Sequence, residues 1–307
     1  MNEASRAKVL LAFAIVYLVW GSTYLGIRFA IETIPPFIMA GVRFFAAGAI
    51  LYLWLRFRGA PGPSKAQWRS MSVVGFLLIG IGNGTVSWVE LTLPSGLTAL
   101  IIALTPFWFV SLEWMQNAIR PTREVIVGLL LGLSGMIILI DPANITQGGR
   151  LDPFATTILI LATMSWAGGS MYSRSAERPA SQLMGAAMQM LVGGAVLIVF
   201  GSIMGEWAVF DPSAVSTVSL AAFLYLIVFG SLIAFSAYIW LLQASSPARV
   251  STYAYVNPVI AVFLGWLLAG ETLTPRIMIA AAVILSGVAL ITAVKIRLAA
   301  SSLRRES

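Results

Sequence analysis

The side chains able to do chemistry inside this chain are few, and nearly all are neutral. One arginine, Arg43, stands within an apolar stretch, on the order of 10 Å from its end by the rise of a helix. The aromatic and small polar residues come in pairs four apart: Trp20 with Tyr24, Asn83 with Ser87, Trp166 with Ser170, and Tyr253 with Asn257. On a helix that spacing places both members on one face. Four helices thus each carry a polar or aromatic stripe, and Ser236 and Tyr238 extend the set. Aromatic walls with a few hydrogen-bonding groups are what small-molecule sites are made of; the same stripes also serve helix packing or interfacial anchoring. Arg43 either clamps a carboxylate with two parallel hydrogen bonds or snorkels outward or pairs with Glu90.

What the chain lacks narrows the chemistry further. It has no cysteine and no histidine, which removes disulfides, thiol chemistry and the commonest metal ligand and proton shuttle. Glu90 and Glu113 lie toward the ends of their stretches, and no carboxylate pair stands near mid-depth. General acid–base or nucleophilic catalysis has poor candidates, so the chain reads as a non-enzyme with no metal and no cofactor. Polycations lack a buried counter-charge, and bare polyanions would ask for several basic groups where one is present. A neutral or zwitterionic small molecule fits best.

The elements that must hold these residues are membrane helices. Apolar residues make up 59% and charged residues 10% of the chain, against about 45–50% and about 25% in soluble domains. Ten stretches approach the roughly 20 apolar residues that cross a bilayer: about 8–28, 36–56, 70–91, 93–115, 124–141, 153–173, 180–204, 217–243, 246–269 and 275–296. Lipid leaves no partner for open backbone groups, so the spans are helices and strands are excluded. Pro94 and Pro247 suit first turns of new helices. Trp54, Trp68, Trp88 and Trp240 read as interface anchors. The first stretch is a retained helix rather than a cleaved signal, because it is long and no small-residue cleavage pattern follows it.

Basic residues fix an orientation. Fifteen of the nineteen fall on the side of the N-terminus, from Arg6 and Lys8 to Arg304 and Arg305, and three fall on the other side, at Arg28, Arg150 and Arg276. Short cytoplasmic loops carry that excess, so both termini are expected in the cytoplasm. The net charge of +7 is then a membrane signature rather than a nucleic-acid face.

The two halves repeat each other. An offset of 146 superposes Trp20 on Trp166 and Gly48 on Gly194, and an offset of 152 superposes Trp88 on Trp240, Pro106 on Pro258 and Leu133-Ser134-Gly135 on Leu285-Ser286-Gly287. Repeat 1 (1–150) and repeat 2 (151–307) hold five spans each. After an odd number of crossings the second copy starts on the opposite side, so the copies are inverted, as in secondary transporters whose solute site lies between repeats. Pro106 and Pro258 are paired helix breakers, each expected mid-span, and are the candidate hinges; Gly82, Gly84, Gly168 and Gly169 add points of bending. Arg43 has the neutral Gln189 as its counterpart.

The ten spans, the Trp20-Gly21-Ser22-Thr23-Tyr24 segment and the late Asn257-Pro258 … Gly270-Glu271 stretch resemble the drug/metabolite transporter superfamily and, within it, the EamA type. The resemblance covers nearly the whole chain. It implies export or exchange of small metabolites across the bacterial inner membrane through a cavity lined by helices one to four and six to nine. Helices five and ten would be peripheral, packed through Gly128, Gly132, Ser134-Gly135 and Ser286-Gly287. Within the family the chain resembles the YddG-like branch of amino acid exporters. The expected solute is a large neutral or aromatic amino acid, the expected mechanism alternating access down a gradient, and the runner-up a proton-coupled drug or metabolite exporter. Expected substrate-binding residues are Trp20, Tyr24, Arg43, Asn83, Ser87, Trp166, Ser170, Tyr253 and Asn257. The partners are a small-molecule substrate and membrane lipid; oligomeric state is left open, because small-residue motifs pack within chains as readily as between them.

Overall fold

Prolines and short polar side chains mark where helices begin in the computed structural model, which describes residues 3–93, 98, 101–118, 120–140, 152–269 and 274–303. In chain order the main helices are α1 (Glu3–Ile31), α2 (Pro36–Phe57), α3 (Lys65–Val89), α4 (Thr105–Asn117), α5 (Arg123–Ile140), α6 (Pro153–Ser175), α7 (Gln182–Ile203), α8 (Thr217–Ala244), α9 (Tyr253–Ala269) and α10 (Pro275–Leu303). Pro36, Pro106 and Pro153 sit in first turns, where the missing N–H costs no hydrogen bond. Ser64 and Gln67 cap α3 reciprocally, and Asp152, Ser181 and Ser216 accept from the first-turn amides of α6, α7 and α8. Such caps satisfy donors that a helix start leaves open.

Seven of these helices are long and apolar enough to cross a membrane: α1 from Arg6, α2, α3, α6, α7, α8, and α10 over Pro275–Ala293. No strand occurs among the described residues. Large apolar side chains such as Leu11, Val199, Ile203 and Leu224 point outward, as lipid-facing positions should. The third helix starts at Lys65 rather than near 70, and the chain turns at 91–93. Pro94, Asp141, Arg150, Gly270 and Glu271 lie outside the described residues.

Pro106 corrects a sequence expectation. The chain turns at Ala103 and Leu104, and Pro106 stands in the first turn of α4 instead of mid-helix, whereas Pro258 is interior to α9. The two prolines are equivalent in sequence but only one interrupts a helix. A proline tolerates a helix start without strain and an interior position only at the loss of a backbone bond.

Helix boundaries carry the sequence offsets. Pro36 and Gln182 open α2 and α7 146 apart; Lys65 and Thr217 open α3 and α8, and Arg123 and Pro275 open α5 and α10, 152 apart. Both α3 and α8 contain a wide π-helical segment, Phe76–Asn83 and Leu226–Phe235. Each has a carbonyl held from the other half of the chain: Ser165 on α6 donates to the Leu77 oxygen at 3.0 Å, and Trp20 on α1 donates to the Gly230 oxygen at 3.2 Å. Wide turns break the regular ladder and leave such carbonyls available.

Two helix pairs meet at glycine. A methyl group on Gly194 would stand 2.8 Å from the Gly41 carbonyl oxygen, and one on Gly48 2.9 Å from that of Ala187. Position 187 is the counterpart of 41, and 194 of 48, so each contact recurs with its partners exchanged. As numbering rises from 41 to 48 on α2 it falls from 194 to 187 on α7, which makes the pair antiparallel. The same exchange joins α5 and α10, where Gly135 abuts Ala280 and Gly128 abuts Gly287. These small residues let backbones approach closely. Around Tyr255, whose hydroxyl donates to the Leu129 oxygen at 3.2 Å, α5 and α10 form a second apolar cluster apart from the main core.

Candidate functional site

A cavity opens among α1, α2, α3, α6, α8, α9 and the segment leading into α4. Its wall on α1 is Trp20, Thr23, Tyr24 and Ile27; on α2, Arg43 and Phe44; on α3, Gly82, Asn83 and Val86. Beyond these come Ile102 and Thr105, then Leu159, Ala162, Thr163 and Trp166 on α6, with Gly230, Tyr253 and Asn257 closing the ring. Most of these positions lie in the halves of their helices away from the face that bears the N-terminus. The wall is chiefly apolar and aromatic, with one guanidinium and a few amide and hydroxyl groups, the make-up of a small-molecule site.

The floor is an aromatic cluster. Trp20 packs on Trp166, Tyr238 and Tyr253 with ring centroids 5.8, 5.0 and 5.1 Å apart. Tyr238 is fully buried, accepts from the Trp166 indole N–H at 2.8 Å and lies 2.7 Å from the Ser170 hydroxyl. Below it, toward the N-terminal face, Tyr17 and Thr252 hydroxyls meet at 2.5 Å. On the same side Arg174 donates to the carbonyls of Leu242 and Ser245, and Gln243 donates to that of Ser173 at 3.1 Å. At the opposite face Glu206 accepts from the Phe37 and Ile38 amides at 3.1 and 2.8 Å, and Ser219 donates to the Phe29 oxygen at 2.7 Å.

Arg43 is 3% exposed. Its Nη2 donates to Asn83 Oδ1 at 3.2 Å, and its guanidinium lies 4.3 Å from the centre of the Phe44 ring. Nε and Nη1 are buried without a partner, as are both carboxylate oxygens of Glu90 and the Asn257 Oδ1. Buried polar groups are paired in the great majority of cases, so unpartnered ones facing a cavity are free to meet a solute.

Of the nine residues expected to bind substrate, seven share this wall: Trp20, Tyr24, Arg43, Asn83, Trp166, Tyr253 and Asn257. Ser87 and Ser170 do not. Both are fully buried, Ser170 donating to the Trp166 carbonyl and meeting Tyr238 behind the wall. The face of α3 that lines the cavity runs through Gly82, Asn83 and Val86, and at 87 it has turned away. Neither hinge proline is a lining residue, although their neighbours Thr105 and Asn257 are. The helix α7 contributes nothing to the wall, because its small-residue face is taken up by α2; Gln189, the counterpart of Arg43, donates to the Met71 sulfur at 3.3 Å. Thr23 and Ile27, and Leu159, Ala162 and Thr163, were missed by pairwise spacing. The stripes through Trp20 and Trp166 continued at steps of three and four contain them.

The EamA-like transporter family matches the chain twice, over residues 7–141 and 154–293. This chain belongs to that family. It is a membrane transporter, built from two successive copies of the family's unit. Among its relatives, the uncharacterized inner membrane transporter YedA of Escherichia coli K12 is 37% identical over 278 residues, 90% of this chain and 88% of that one. The S-adenosylmethionine/S-adenosylhomocysteine transporter of Chlamydia trachomatis serovar L2 is 27% identical over 286 residues, covering 89% and 85%. One solved crystal structure superimposes with a TM-score of 0.76 at 19% identity over 95% of this chain and 99% of that chain, and so shares its fold.

Proposed function

We propose that this transporter exports small neutral or zwitterionic metabolites, large neutral or aromatic amino acids foremost, across the bacterial inner membrane by alternating access, with the solute running down its own gradient. The observation that carries the reading is the cavity wall itself: a single guanidinium with two buried unpartnered nitrogens set among Trp20, Trp166, Tyr24 and Tyr253. The guanidinium suits a carboxylate, and the rings suit a flat or apolar side chain. A relative named for S-adenosylmethionine and S-adenosylhomocysteine carries solutes that are themselves amino acids. The inner membrane is the printed location of the YedA relative.

Alternating access in this reading rests on ten spans in two inverted five-helix repeats, 1–150 and 151–307, with both termini cytoplasmic. The exchanged glycine contacts of the antiparallel pairs α2–α7 and α5–α10 support that inversion, since a two-fold axis across the helices produces them. Rocking of one repeat on the other around the cavity then exposes it to each side in turn. Under this assignment the bonds of Tyr17 and Arg174 seal the cytoplasmic side in the present state, and Pro258 is the point of bending.

Flux tests the proposal. Purified protein in liposomes should move labelled phenylalanine or tryptophan saturably, and an imposed pH gradient should leave the rate within about twofold, a change worth under about 0.5 kcal/mol. Strong acceleration by the gradient would replace passive export with proton coupling, and failure to move any neutral amino acid would remove the substrate assignment.

A further inference from the structure

We propose that Arg43 and Glu90 together form a bipolar recognition site for a free α-amino acid, the guanidinium taking the solute's carboxylate and the Glu90 carboxylate its ammonium group. This rests on the reading of the chain as an amino acid carrier and adds to it the feature that selects zwitterions. The sequence offers Glu90 as a residue near a helix end and as an alternative partner for Arg43.

Glu90 closes α3 one turn beyond Val86, and residues four apart share a helix face. Val86 lines the cavity, as do Arg43 and Tyr24, whereas Glu90 itself lies one turn beyond the lining residues of α3. The charged neighbours of Glu90 are Arg43 on α2 and Arg28 on α1, and Tyr24 in turn feels the Glu90 charge. Arg28 is exposed and keeps its own hydration. Both Glu90 oxygens are buried with no hydrogen-bond partner, and so are Nε and Nη1 of Arg43, whose remaining bond goes to Asn83. A guanidinium and a carboxyl group that feel each other electrostatically therefore lie without a hydrogen bond between them, each with open valences.

Leaving either charge so is costly unless something completes it. A free amino acid carries the complementary pair on a single carbon. A simple carboxylic acid would complete Arg43 and leave Glu90 bare; a simple amine would do the reverse. A site holding both groups thus rejects molecules lacking one, by the same logic that makes an unpaired buried partner more expensive than a missing contact.

The test compares three probes with one ring and different charges: L-phenylalanine, 3-phenylpropionate and phenethylamine, measured by calorimetry on the full-length protein in detergent. The expected result is that the native chain binds phenylalanine at least about tenfold tighter than either analogue, the scale of one lost charged hydrogen bond. Glu90→Gln should bring phenylalanine and 3-phenylpropionate to within about twofold, while Arg43→Gln does the same for phenylalanine and phenethylamine. The double variant Arg43→Gln/Glu90→Gln leaves no lone charge behind and guards against misfolding of either single variant; it should bind all three without preference. A double variant or a folded Glu90→Gln that keeps the full preference for phenylalanine would overturn the bipolar site and leave the carrier reading intact. A native chain that binds none of the three would overturn both.

Discussion

Replacing Gly194 with alanine puts the packing of the α2–α7 seam to a direct test. The added methyl would lie 2.4 Å from the Phe45 amide nitrogen, 2.8 Å from the Gly41 carbonyl oxygen and 2.9 Å from the Phe45 Cα. All three are main-chain atoms of a helix, so no side chain can swing aside, and relief requires α2 and α7 to part by about an ångström to reach ordinary contact. Overpacking of this kind costs about 1–3 kcal/mol, against about 1 kcal/mol gained from the better helix propensity of alanine. The net expectation is a loss of up to about 2 kcal/mol. Gly168 on α6 is the control: nothing stands within 4 Å of a methyl group there, so Gly168→Ala should be neutral or stabilising by up to about 1 kcal/mol. Gly48→Ala, the counterpart of Gly194→Ala, meets the Leu191 nitrogen at 2.7 Å and the Ala187 oxygen at 2.9 Å and should weaken the protein by a similar amount. The assay is thermal unfolding of the purified variants in one detergent. Gly194→Ala melting together with Gly168→Ala would refute the close approach of the two backbones.

Further outcomes follow from single contacts. Tyr238→Phe removes the acceptor of the Trp166 indole N–H and leaves that donor buried, so it should lower stability by about 1–3 kcal/mol in the same melting assay. Glu206→Ala deprives the first-turn amides of Phe37 and Ile38 of their acceptor; a carboxylate at a helix start contributes about 0.3–2 kcal/mol, and faster hydrogen exchange at the start of α2 should report its loss. Asp211 is held below its ordinary range by the hydroxyl and amide of Ser213 and by the Ala214 amide. Its contribution is therefore present above the unfolded-state pKa and lost as pH falls through the lowered folded-state value. Exchange in the turn Pro212–Ala214 should stay slow through the mildly acidic range and quicken only below it, and Asp211→Asn should abolish that dependence.

Much of this architecture is legible in the residues because membrane helices obey blunt rules. Length, charge asymmetry and the two offsets place α2 and α7, or α5 and α10, within a residue or two of where they start. Seven of nine expected binding residues share one cavity because spacing by four reads a helix face well over one turn. Ser87 and Ser170 lie off the wall, because spacing tells which residues share a face, but not which face meets the cavity and which meets a neighbour such as Tyr238. Pro106 misleads because a proline ends one helix as readily as it bends another, and only the turn at Ala103 and Leu104 distinguishes the cases. The π-helical segments of α3 and α8 leave no mark in periodicity, since a single extra residue in one wide turn shifts the pattern by less than the scatter of apolar positions. Glu90 was discounted by depth along its helix, whereas burial of its oxygens depends on what α1 and α2 bring against it.

The seam and the chamber have aged differently. At positions 41, 48, 187 and 194 both halves still hold glycine or alanine, because a bulky change on either would collide with the other's main chain. At the equivalent positions 43 and 189 one half has arginine and the other glutamine, and no such mutual veto operates. Under the rocking motion proposed above, a carboxylate-bearing solute meets the Arg43 cation on the wall of the present state, whereas its counterpart Gln189 is turned to Met71 and supplies no second cation. Its grip in the two states must then differ. Such a carrier empties faster in one direction than the other at equal loading, yet its end point is unchanged, since unequal affinities alter rates and cannot by themselves build a gradient.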